Sequence, residues 1–244
     1  LIIDPLSLAL AAIIIFFAAI TQSLIGFGLA VVASPLLYLV EPDLVPAPVI
    51  MMGFAISALT LIREHGHLEF NGLQYALLGR IPGGFLGASL LILAPQAILG
   101  LVIAAIVAIA VIFSVFKFSV PVNRISLFIA GVISGIFGNI AAIGGPPMAI
   151  LLAGKDASQF RAALSAFFIF SSLIALIILA VTGLLNWRHL WLSCMLLPSV
   201  VLGFLVAGRL VGRVDKQKTR NATLILCSIS ALVLAVQSVL TLMH

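Results

Sequence analysis

The fold class predicted for this sequence is all-α, a polytopic bundle that crosses a lipid bilayer many times, and three observations predict it. Of its 244 residues 64% are hydrophobic and 8% charged, against about a quarter charged in an ordinary soluble domain, so the chain lacks the polar surface that water requires. Its apolar stretches are long and continuous, without the alternation of barrel strands, and only helices or closed barrels satisfy the backbone in hydrocarbon. The remaining charged, proline and glycine residues punctuate the chain at intervals that fit spans and loops.

Runs bounded by that punctuation divide the chain into ten segments. The first, 6–22, follows Asp4 and Pro5; with no basic leader and no small-residue cleavage site it is expected to belong to the fold. The second, 26–40, opens on Gly26-Phe27-Gly28, carries Ser34-Pro35 and stops at Glu41 and Asp43. The third, 44–62, stops at Arg63, the fourth, 72–94, at Pro95, and the fifth, 96–117, at Lys117. The sixth, 125–141, follows Arg124, and the seventh, 144–154, opens on Gly144-Gly145-Pro146-Pro147 and stops at Lys155. The eighth, 158–182, stops at Gly183, the ninth, 189–211, follows Arg188, and the tenth, 219–243, follows Lys216 and Lys218. Most reach the ~20 residues that a crossing needs, whereas the second and seventh, at ~15 and ~11, are short or re-entrant.

Those two short segments are each second of five, which predicts two inverted five-segment repeats, 1–120 and 121–244. Gly28 and Gly144, Pro82 and Pro198, and Gly87 and Gly203 are each 116 positions apart. Gly66 to Phe70 and Gly183 to Trp187 form a further weak pair at 117. Charge adds a topology. Arg63, Lys117, Arg124, Lys155, Arg161, Arg209, Arg213, Lys216, Lys218 and Arg220 fall on one side of the predicted spans, and Arg188 on the other with Asp4, Glu41 and Asp43. The basic side is cytoplasmic by the positive-inside rule, which places both termini outside a cell (inner) membrane and accounts for the net charge of +5 without nucleic acid. Trp187, Arg188 and Trp191 read as an interfacial anchor. Cys194 and Cys227 lie inside apolar runs without a C-x-x-C spacing and read as packing residues.

A helix interrupted at membrane depth exposes backbone groups, which is tolerated where protein buries them or a polar cavity takes them up. The clusters at Gly26-Phe27-Gly28 and Gly144 to Pro147 therefore mark a path or a site, and amides at the following helix starts suit an anion. Thr21, Gln22 and Ser23 precede the first cluster and Asn139 the second, with Ser23 and Asn139 equivalent at the 116 spacing. Close helix packing is the other reading of the same small residues. Arg80 stands roughly 12 Å into its segment at ~1.5 Å per residue, well inside a core about 30 Å thick. All seven acidic residues, Asp4, Glu41, Asp43, Glu64, Glu69, Asp156 and Asp215, fall in loops or at segment ends. The candidate partner of Arg80 is then a substrate anion, with helix-end carbonyls as the alternative. Gly79, Pro82, Gly83, Gly84 and Gly87 give its segment a small, kinked face.

Several function classes lose support. Carboxylates confined to loops offer no buried proton relay, and the chain has no phosphate-binding loop for an ATP motor. His65, His67, His189 and His244 sit at segment ends or loops, no H-E-x-x-H occurs, and Ser134 has no evident base, so neither a catalytic residue nor a metal or cofactor is predicted. A membrane-embedded enzyme acting on a lipid-like substrate remains the alternative from another class. The G-x-x-x-G spacings at 79, 83 and 87 and at 208 and 212 permit a homodimer.

Gly131-x-x-x-Gly135-x-x-Gly138 followed by Gly144-Gly145-Pro146-Pro147, together with Gly26-x-Gly28 and Pro82-Gly83-Gly84-x-x-Gly87, resembles the TauE/SafE sulfite exporter family over nearly the whole chain. The resemblance implies a secondary transporter of the prokaryotic inner membrane that exports a small sulfur-containing or organic anion, such as sulfite or sulfoacetate. It also implies that Gly26, Gly28, Gly144, Gly145 and Pro146 form the substrate region. The residues themselves add Gln22, Ser23, Arg80 and Asn139 as substrate-binding candidates. Leu29 and Ala30 follow Gly28 where the family is richer in glycine, which argues against a symmetric two-fold site. Import of the same anion class is the alternative direction.

Overall fold

The computed structural model describes residues 3–68, 72–115, 120–210 and 216–243. Ten α-helices occupy them: α1 Pro5–Ile25, α2 Leu29–Val40, α3 Ala47–Glu64, α4 Leu73–Leu93, α5 Gln96–Val115, α6 Arg124–Ala141, α7 Gly145–Leu152, α8 Ala157–Val181, α9 Trp187–Leu210 and α10 Lys216–Met243. Short 3₁₀ turns at Pro42–Leu44 and His65–His67 flank α3. The punctuation read from the sequence becomes caps. Asp4 accepts from the Ser7 amide at 3.2 Å and Pro5 opens α1. Asn123 and Ser126 form a reciprocal capping box at the start of α6.

Each of the ten predicted segments matches one helix to within a few residues. The difference that matters is at the end of α3, which runs two residues past the predicted stop and carries Arg63 and Glu64 onto its last turn. Among the described residues, eight helical stretches are long and apolar enough to cross a membrane, including Pro42–His67 and Asn221–Met243. The 12 residues of α2 and the 8 of α7 extend about 18 and 12 Å, short of a ~30 Å core. Lys117, Arg213, Glu69, Phe70, Asp215, Gly212 and His244 lie outside the described residues, as do the side chains of Lys216, Lys218 and Arg220.

Hydrophobicity is distributed as a bilayer demands. Large apolar side chains face outward, including Leu93 at 80% and Val181 at 70% exposure, whereas Ser23, Ser34, Ser57, Ser134 and Asn139 are wholly enclosed. The described helices form a multi-pass membrane bundle. Its most extensive packings cross the midpoint of the chain: α4 lies along α6, α1 along α9, α3 against α8 and α5 against α10. The two sequence halves interleave rather than sit side by side. One apolar cluster joins Ile15 and Leu37 to Leu196 and Leu234, and a second joins Leu73 of α4 to Leu127, Met148 and Phe167.

Glycine sets the α4–α6 contact. A Cβ on Gly79 or Gly83 would collide with the carbonyls of Phe128 and Val132, and one on Gly131 with that of Ala76. Backbone touches backbone along this seam, and the two helices run parallel, since Gly79 meets Phe128 and Gly87 meets Ile136. The G-x-x-x-G face at 79, 83 and 87 that permits a dimer is thus filled from within the chain.

Gly83→Ala is expected to lower stability by about 1–3 kcal/mol, the cost of overpacking a closed contact. Gly208→Ala, in the interior of α9 where an added Cβ meets nothing within 4 Å, is expected to leave stability unchanged or raise it by up to ~1 kcal/mol. Thermal unfolding of the purified variants in detergent checks both.

Candidate functional site

Two interrupted helices meet at the centre of the bundle, and each break is held by side chains from elsewhere. At the first, Gly26 and Gly28 take φ of 103° and 124°, a region that side chains with a Cβ rarely enter. The Gly26 amide closes onto the Gln22 carbonyl at 2.7 Å. The Gln22 side chain then spans the gap, its Oε1 accepting from the Leu29 amide at 3.1 Å and its Nε2 donating to Ser57 Oγ of α3 at 3.3 Å. At the second break the turning residue is Ala142, with φ of 59°, a left-handed conformation that costs a non-glycine residue about 1–2 kcal/mol. Ser134 Oγ donates to the Gly144 carbonyl at 2.7 Å. Ser34 of α2 donates to the Ala141 carbonyl at 2.5 Å, so the helix after one break braces the other.

Between the breaks lies a small, partly open cavity, much tighter than the usual small-molecule site. Gln22, Phe27 and Gly28 line it from the first break, and Ala142, Gly144 and Gly145 from the second. Ile50 and Gly53 of α3, Arg80 of α4, and Phe168, Ser171 and Ser172 of α8 also face it.

Arg80 is 3% exposed. Its guanidinium donates to the Ser134 carbonyl, to Asn139 Oδ1 at 3.5 Å and, through Nε, to the Ser171 carbonyl at 3.4 Å. All three acceptors are neutral, and among the described residues no carboxylate pairs with it. The carbonyls that receive it lie in the interiors of α6 and α8 rather than at helix ends, and the cation lines the cavity as well. Gly138 explains the last glycine of its motif: a Cβ there would overlap the guanidinium itself. Asn139 is tied down by a second bond, Nδ2 to the Gly84 carbonyl at 3.1 Å, which fixes its oxygen toward Arg80.

Of the nine candidates, Gln22, Gly28, Arg80, Gly144 and Gly145 line the cavity, and Asn139 stands directly behind Arg80. Pro146 is buried in the first turn of α7. Ser23 and Gly26 belong elsewhere. The Ser23 hydroxyl and carbonyl accept from Arg63 at 3.0 and 2.9 Å, and Gly26 abuts the stem of Arg161. Amide donors are also placed differently from expectation. Pro146 and Pro147 have no N–H, so the start of α7 offers little beyond Gly145. The first turn of α2 retains the Ala30 and Val31 amides, which have no acceptor within the helix, and both residues line the cavity. Sequence reasoning missed Gly53, Phe168 and the paired hydroxyls Ser171 and Ser172. The only local signal for the last two is adjacent polarity inside an apolar run.

Broken helices around a central cavity that holds a buried cation, within a bundle of apolar spans, define a membrane transporter. Residues 11–234 match the family described as sulfite exporter TauE/SafE, and the chain belongs to that family, whose members are membrane transporters of sulfur-containing anions. No curated protein and no solved structure matches the chain significantly.

Gln22→Leu removes the side chain that spans the first break and strands the buried Leu29 amide. Thermal unfolding is expected to show a loss of about 1–3 kcal/mol, the cost of an unsatisfied buried donor.

Proposed function

We propose that this chain is a secondary transporter that exports a small sulfur-containing or organic anion, sulfite or a sulfonate such as sulfoacetate, across the inner membrane, and that the central cavity is its binding site. The observation that carries this reading is Arg80, a buried cation with only neutral acceptors, facing a cavity lined by two helix breaks. An intramembrane charge without a counter-ion is costly, and an anion in the cavity supplies the missing charge. The Ala30 and Val31 amides and the Ser171 and Ser172 hydroxyls stand along the same wall to receive its oxygens. Gln22, Gly28, Gly144 and Gly145 shape the space, Asn139 and Pro146 support it, and Ser23 and Gly26 act at its approach.

The packing supports an internal two-fold repeat of 1–120 and 121–244. Exchanging each helix with the one five places along carries α1·α9 into α6·α4 and α1·α2 into α6·α7, and returns α3·α8 and α5·α10 to themselves. Gly203 meets Phe16 and Ile20 as Gly87 meets Ile136, in keeping with the 116 spacing. An inverted repeat of this kind gives the cavity two alternative exits. With the basic loops cytoplasmic, moving one negative charge outward gains ~2.3 kcal/mol per 100 mV of interior-negative potential, so export needs no coupling ion.

In proteoliposomes with an imposed potential, purified protein is expected to carry sulfite or methanesulfonate, and Arg80→Ala to abolish the flux. Unchanged flux in that variant overturns the assignment. Gly138→Ala, which displaces the guanidinium without removing it, is expected to slow flux by about tenfold or more, the loss of one charge-assisted hydrogen bond. Topology is checked separately in a background lacking Cys194 and Cys227. A thiol at Gly154 is expected to react with impermeant reagents from the cytoplasmic face only, and one at Asn186 from the outer face only.

A further inference from the structure

At the end of α3 a second group of charges surrounds the first helix break. Arg63 Nε lies 3.3 Å from Glu64 Oε1. Arg161 Nε and Nη2, from α8, both lie 2.9 Å from that same oxygen. The terminal nitrogens of Arg63 reach Ser23, and Arg161 Nη2 donates to Ser158 Oγ at 3.2 Å. The side chains of Glu64 and Arg161 are only 9% and 11% exposed. Among the described residues, these two guanidiniums and one carboxylate leave a net charge of +1, with Arg63 the most exposed of the three at 26%.

Another group of ion pairs among the described residues has the opposite balance. Arg188 at the start of α9 pairs with Asp43 at 2.6 Å and with Glu41 at 3.7 Å, one cation against two carboxylates. The two groups flank α3 at its opposite ends, Glu41 and Asp43 before its first turn and Glu64 on its last. Since α3 lines the central cavity through Ile50 and Gly53, the field along this wall attracts an anion at the Arg161 end and repels it at the Arg188 end.

We infer that Arg63 and Arg161, with the hydroxyls of Ser23 and Ser158, form a second anion site that loads the cavity, and that the Glu64 carboxylate stands in the place of the incoming anion. The ligand class is a small oxyanion of the sulfite or sulfonate type, whose several oxygens match two converging guanidinium forks. Glu64 presents a single oxygen to both, so an oxyanion that displaces it gains contacts the carboxylate does not make. The route onward is short. Gly26 abuts the Arg161 stem, Phe27 packs edge-on against Phe160 with ring centroids 6.4 Å apart, and Phe27 and Gly28 already line the cavity. The site rests on the anion-transport reading of that cavity and adds to it a resident competitor and a preferred face for loading.

Removing either member breaks the Glu64–Arg161 pair, but a loading site predicts opposite effects. The half-saturating concentration of methanesulfonate for uptake into proteoliposomes is expected to fall several-fold in Glu64→Gln, where the competitor loses its charge. In Arg161→Gln it is expected to rise about tenfold, the size of one charge-assisted hydrogen bond, and Arg161→Lys is expected to recover part of that rise. Should Glu64→Gln fail to fold, Glu64→Asp withdraws the carboxylate by one methylene and is expected to shift the value downward as well. A shift in the same direction for the Glu64 and Arg161 variants, or no shift in either, overturns the loading site and leaves the pair as a brace between α3 and α8. Failure of the parent reading has a different signature, a wild-type protein without flux or a flux indifferent to Arg80→Ala.

Discussion

A guanidinium enclosed in a helical bundle sets the conditions that the centre of this molecule meets. Arg80 is almost wholly buried, and desolvating a cation costs several kcal/mol unless polar groups surround it. Its acceptors come from α6 and α8, so α6 must approach α4 until backbone meets backbone, which Gly79, Gly83 and Gly131 permit. Gly138 leaves the volume that the guanidinium fills. The residue whose carbonyl receives it, Ser134, also holds the Gly144 carbonyl through its hydroxyl. Position of the cation, closeness of the helices and shape of the second break are therefore one coupled arrangement.

The first break is built on different chemistry. Two glycines in left-handed backbone allow the chain to turn, and Gln22 replaces the missing helical bonds with its own amide group. At the second break an alanine takes the left-handed position and two prolines start the next helix. The consequence is electrostatic: backbone donors on the cavity wall come mainly from the α2 side, and the fixed cation sits by the α7 side. A bound anion lying between them would be held from two directions, one dipolar and one fully charged, which orients it as well as binding it.

How much of this could be read from the sequence depends on the range of the interaction. Helix limits follow from local composition: Asp4 and Pro5 start α1 where the punctuation places them, although Gly26, expected to open the second segment, closes α1 instead. Arg80 was identifiable because a charge in an apolar run conflicts with its surroundings whatever the fold. The partners were not. Ser171 lies 91 positions from Arg80 and Glu64 lies 97 from Arg161, and no local pattern signals such meetings. Ser23 shows the limit most clearly. The repeat spacing pairs it with Asn139, but Arg63, the residue immediately beyond the apolar run in which α3 was expected to end, captures it instead. Ser23 and Asn139 are unlike side chains, and side-chain chemistry decides contacts whatever the spacing in sequence.

The interleaving of the halves bears on how the chain is assembled. Helices enter the bilayer in the order of synthesis, and α1 emerges long before α9, the helix against which it packs most extensively. Likewise α4 waits for α6, α5 for α10, and Arg80 for the Ser134 carbonyl and the Asn139 side chain. Until the second half arrives, the first holds polar groups in hydrocarbon without their final partners, a state that lipid headgroups, water defects or insertion machinery must shelter. Such a chain cannot mature one half at a time. Its last helices complete its first, so a truncation that removes α9 or α10 also strips α1 or α5 of the helix it packs against most extensively.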